Sequence, residues 1–132
     1  MAIRFDQYPE LKLTIFRWEG IVTANQWLDV HQSYMKNPSR FEVHDFLNAD
    51  GSGFDYQGFQ SLIHRINAVT IDNPSTKCKS VFVTGNLIDF NLGQTFSMLA
   101  DVHGISRKYL TVNTMAEAFA ALGISPPEGI GI

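Results

Sequence analysis

The chain has 132 residues, 45% of them apolar and 17% charged, which suits one domain with a substantial core and excludes a disordered segment. Its net charge is −3 and its basic residues are scattered, with no cluster larger than a pair such as Lys77 and Lys79, so it lacks the basic patch that nucleic acid requires. The lone cysteine, Cys78, excludes an internal disulfide and fits a reducing compartment. "MAIRFDQYPELK" carries charge in every apolar window, so no signal peptide is expected there. No stretch nears the roughly 18 apolar residues of a membrane span, and a cytoplasmic protein is expected.

"AIRF" and "LKLTIFRW" read as two strands joined by a turn around Tyr8-Pro9, because Pro9 cannot donate to a sheet ladder. In the second strand Leu11, Leu13 and Ile15 point one way and Thr14, Phe16 and Trp18 the other, so both faces are covered. In "GIVTANQWLDVHQSYM", Thr23 and Gln26 form a capping box and Val22 can staple onto Trp27. Trp27, Val30, His31 and Tyr34 then make one helical face, ended by Pro38. "FEVHDFLNA" is a third strand. Asp55 suits the N-cap of a second helix, stapled by Phe54 and Phe59, with Leu62, Ile63 and Ile66 inward.

"DNPSTK" is a loop, and the apolar run "SVFVT" reads as a central strand covered on both faces. A third helix from about Ile88 to His103 turns Leu92, Phe96, Leu99 and Ala100 inward, and Gly104 follows as a left-handed cap. "KYLTV" is the last strand. Thr114 and Glu117 form a second capping box before a helix that buries Met115, Ala118, Phe119 and Leu122 and stops at Gly123. The order β-β-α-β-α-β-α-β-α predicts a single α/β domain over residues 1–124, with 125–132 as a loosely ordered tail. Its sheet is mainly parallel, of about five strands, the first antiparallel at one side, with about four helices on its faces.

No active-site pattern emerges. In "FLNADGSGFDYQG" the glycine spacing fails the dinucleotide fingerprint, and no lysine follows to make a P-loop. His31, His44, His64 and His103 never fall at the i, i+4 spacing of a helical zinc site, and one cysteine is too few for a zinc ribbon. His44 and Asp45 are adjacent on a strand and face opposite sides of the sheet. Cys78 lies at the start of a strand, whereas ligand sites in open parallel sheets gather at the strands' carboxyl ends. No metal and no cofactor are expected. The candidate cleft is at those carboxyl ends: Asp50, Ser52, Asp55, Tyr56, Asn86 and Asp89, with Phe54 and Phe90 as apolar walls. Against it stands the fact that Asp55, Asn86 and Asp89 are also ordinary capping residues.

Three patches resemble the SpoIIAA-like group, relatives of the anti-sigma-factor antagonist (STAS) domains, a group that also touches on a lipid-binding fold. They are "WEGIVTANQW", "VHDFLNADGSGFDYQGFQSL", and "KSVFVTGNLIDFNLGQTFSML" followed by "YLTVNTMAEAFAAL". Together they span most of residues 11–124, although the last helix lacks the Trp often found there. In signalling members of the wider group, an Asp-Ser-Ser-Gly stretch at the start of the second helix carries a phosphorylatable serine. The matching residues here are Asp55-Tyr56-Gln57-Gly58, so the resemblance does not carry over a serine switch. It implies a non-catalytic regulatory module with a protein partner. The alternative is a small carrier, with Trp18, Trp27, Phe54 and Phe90 lining a cavity of several hundred Å3 for an apolar or lipid-like ligand. A homodimer through an exposed helix or the edge strand is compatible with either.

Overall fold

A computed structural model describes residues 2–34, 39–70 and 78–130, with the side chains of 2, 31–34 and 67–70 left out. The predicted helix stop at Pro38, the loop at 72–77 and the side chains of His31 and Tyr34 lie outside what is described. The elements are β1 (Ala2–Tyr8), β2 (Leu13–Ile21), α1 (Ala24–Tyr34), β3 (Phe41–Asp50), α2 (Tyr56–Thr70), β4 (Lys79–Val83), α3 (Leu87–Val102), β5 (Lys108–Val112) and α4 (Met115–Leu122). They form one five-stranded sheet in the order β1-β2-β3-β4-β5. β1 pairs antiparallel with β2, and every other pair is parallel. The predicted architecture is thus the observed one. No helix among the described residues is long and apolar enough to cross a membrane.

The layering follows from that strand order. Each parallel strand is added on the same side of the previous one, and right-handed crossovers in one direction must all pass over one face. α1, α2 and α3 therefore share a face, and α4, which is not a crossover, covers the other. The three-helix face buries an aromatic core: Phe16, Trp18, Phe46, Phe82 and Tyr109 from the sheet under Trp27, Phe59 and Phe96 from the helices. The α4 face is aliphatic, with Leu13, Ile15, Val43, Val81 and Val83 under Ala118, Phe119 and Leu122. Period-2 alternation along β2 and β4 supplies both cores from the same strands. Ile124 and Ile130, beyond α4, are partly buried against the aliphatic core.

Local chemistry sets the boundaries. The turn after β1 is a 3-10 turn at Pro9–Leu11, closed by Lys12 in the left-handed region at φ 54°. β1 runs on to Tyr8 and β2 to Ile21, past a bulge between Arg17 and Glu19, because backbone pairing continues where side-chain alternation fades. Before α1, Gln26 N–H donates to Thr23 Oγ1 at 3.3 Å and Thr23 N–H to Gln26 Oε1 at 2.9 Å, a full capping box. α4 starts on Thr114, whose Oγ1 accepts from Glu117 N–H at 3.1 Å, and stops at Gly123 in the left-handed region.

Candidate functional site

The carboxyl ends of β3 and β4 feed two loops that meet. After β3, Asp50 Oδ1 accepts from Ser52 N–H at 2.8 Å and holds the 3-10 turn Gly51–Gly53. Asp55 Oδ1 accepts from Gly58 N–H at 2.6 Å, capping α2, and the Phe54 and Phe59 rings lie 5.4 Å apart as the staple. After β4, Asn86 Oδ1 accepts from Asp89 N–H at 2.8 Å and caps α3. Asp89 joins the loops: its Oδ1 accepts from Gly51 N–H at 3.0 Å and its Oδ2 from Asn86 Nδ2 at 3.1 Å. Gly51 is needed for this approach, since a Cβ there would lie 2.9 Å from Asp89 Oδ1.

Beneath the loops is an apolar hollow of about 40 Å3, walled by Trp27, Phe46, Phe54, Phe59, Phe82 and Phe96, with Thr84 and Asp89 among its lining. Of the eight residues named from sequence, Phe54 and Asp89 line the hollow, and Asp50, Ser52, Asp55, Tyr56 and Asn86 are outside it at the loop surface. Phe90 is half-buried and is not part of the wall; Leu92 takes that place. Around the loops stand exposed apolar side chains: Ile21 at the end of β2, Leu47 on β3, Tyr56 at the start of α2, and Leu87 and Ile88 at the start of α3. The Ser52 amide holds the exposed Asp50 carboxyl below its ordinary 3.8. Each loop carboxylate is thus occupied with helix or turn amides. No group of three or more His, Cys, Asp or Glu side chains able to hold a metal occurs among the described residues.

A second polar cluster, at the strands' amino ends, was not anticipated. Glu42 Oε1 accepts from Ser80 Oγ at 2.6 Å and lies 3.2 Å from His44 Nε2 and 3.6 Å from Arg107 Nη1. A carboxylate can only accept, so the imidazole proton is on Nε2. Arg107 Nη2 donates to the Ser39 carbonyl at 2.7 Å, and its Nη1 donates to Ser80 Oγ at 3.1 Å. His44 has no exposed surface and stacks on the Phe16 ring at 4.6 Å and the Trp27 ring at 4.5 Å. Burial lowers its pKa below 6.5, against the raising effect of Glu42, and Arg107 lowers it further. Sequence did hold one signal for it. Residues i and i+2 of a strand share a face, so Glu42 and His44 are partners where His44 and Asp45 are not. With Glu42, His44 and Ser80 all sealed from solvent, the cluster ties β3 to β4 and to the segment before β5.

No protein-family model matches the sequence, and no curated protein does. The folded chain does match solved structures. One is the anti-sigma factor antagonist SpoIIAA in its unphosphorylated form, at TM-score 0.55, covering 92% of this chain and 98% of that one. The fold is SpoIIAA-like. At 10% identity the likeness lies in the fold alone, and it agrees with the family resemblance carried by the three sequence patches.

Proposed function

We propose that this SpoIIAA-like domain is a non-catalytic protein-interaction module whose contact surface is the Gly51–Gly58 loop with the first turns of α2 and α3. The observation that carries this reading is the set of exposed apolar side chains, Ile21, Leu47, Tyr56, Leu87 and Ile88, placed on elements that meet at the strands' carboxyl ends. Scattered exposed apolar residues are ordinary, but several around one loop pair mark a contact surface. A serine switch at the start of α2 is not part of the proposal, since Tyr56 and Gln57 stand there. Regulation is by occupancy of the surface. The carrier alternative gains no support from the hollow, because about 40 Å3 is far below the roughly 300–1,000 Å3 of ligand pockets.

A photo-crosslinking residue at position 88, compared with one at the exposed Met98 further along α3, tests the surface in cells of the source organism. One discrete adduct from position 88 and none from position 98 is expected. Leu87→Asp should abolish it while thermal unfolding is unchanged, and Asp55→Arg should abolish it with only the small loss of stability that follows removal of the α2 cap. Adducts that survive both substitutions would overturn the reading.

A further inference from the structure

We propose that His44 is a proton-sensitive latch that holds α1, and with it one wall of the aromatic hollow, against the sheet. One indole serves both structures: Trp27 stacks on His44 and also lines the hollow. Among the described side chains of α1, Trp27 alone is fully buried; Ala24, Leu28 and Val30 are half-buried. Trp27 carries that docking through a stack of rings, lying on His44 at 4.5 Å and on Trp18 at 5.0 Å, and among its described ring partners only His44 can take a proton. His44 cannot gain a proton in place without putting charge into a sealed site beside the Arg107 guanidinium, which already shares Glu42.

Among the described residues, the charged groups facing His44 are few. β3 contributes Glu42 and the segment before β5 contributes Arg107, while β2 and β4 present Phe16, Phe82 and Ser80. On α1 the charged Asp29 is exposed, and on α2 so are His64 and Arg65. The sign follows. With α1 docked, His44 excludes its proton; with α1 lifted, it meets water and takes one near its ordinary 6.5. Opening is thus independent of pH above about 6.5 and rises about tenfold per pH unit below it, until the docked form's own lower pKa is reached. The latch concerns the integrity of the hollow and stands whether or not a protein docks over it.

Amide exchange, corrected for intrinsic rates, tests it in the full chain from about pH 8 to about pH 5. Residues 27–30 of α1 are compared with α4 on the opposite face, in the natural protein and in His44→Phe, which keeps an aromatic ring and removes the proton site. Opening of α1 is expected to rise by up to tenfold per pH unit below about 6.5, without α4 following, and to be flat in His44→Phe. The Leu62 and Leu92 methyl signals, which report on the hollow, should shift over the same range. α1 and α4 accelerating together would overturn the latch in favour of whole-domain unfolding. If His44→Phe does not fold, the imidazole signals of the natural protein decide: His44 titrating with a midpoint near 6.5 while α1 stays protected would overturn it, and no titration in the docked state supports it.

Discussion

Two polar clusters occupy opposite ends of the same sheet and are built on opposite principles. At the carboxyl ends, Asp50, Asp55 and Asn86 bond backbone amides two or three residues away, at or near the surface. At the amino ends, Glu42, Ser80 and Arg107 bond partners 27 to 68 residues away, with all three side chains buried. A bond of the first kind forms with little loop closure and can be replaced by water when lost. One of the second kind forms only after the chain has closed on itself, and its loss leaves a polar group where no water reaches. The first cluster shapes a surface; the second fixes how the strands and α1 are held together.

The contrast is most sharply tested by Arg107→Ala. It strips the guanidinium from Glu42 and from the Ser39 carbonyl, leaving a buried carboxylate short of a partner, and should cost about 3–5 kcal/mol. Urea denaturation measures it, and a loss under about 1 kcal/mol would mean that the buried cluster is no more than a surface network in energetic terms. The intermediate case is Gly51→Ala, which tests the single long-range bond in the loop cluster. The new methyl displaces Asp89 Oδ1 and should cost about 1–3 kcal/mol by the same measurement.

Asp55→Ala removes only the local cap of α2 and should cost about 1 kcal/mol. Amide exchange in the first turn of α2 should respond before the rest of the domain does. The smallest effect belongs to Asp50. Its folded pKa is depressed, so its contribution is present above about pH 3.8 and lost as pH falls through the folded value. Its carboxyl chemical shift should move at lower pH than that of an unstructured aspartate, and an ordinary midpoint would remove the Ser52 amide from the account.

The same contrast explains what could be read in advance. The caps at Thr23, Asp55, Asn86 and Thr114 and the staple at Phe54–Phe59 rest on residues three to five apart, and all are within reach of pattern reading. Asp89 was legible as a capping residue but not as the strut between two loops, because Gly51 lies 38 residues away. Leu92 and Phe96, which helical spacing already turns inward, stand in the wall of the hollow, and Phe90, two residues before Leu92, falls off that face.

Sequence by itself determined the elements, their caps, the central place of "SVFVT" and the parallel pairing that crossover helices impose, since each follows from short-range periodicity and from chain handedness. Only the tertiary structure decided that α1, α2 and α3 share one face, that the hollow is small, and that Ser80 and Arg107 join Glu42 in the interior. Those outcomes depend on strand order and on contacts between residues far apart in the chain. No local pattern encodes such contacts, because their energy exists only once the sheet has closed.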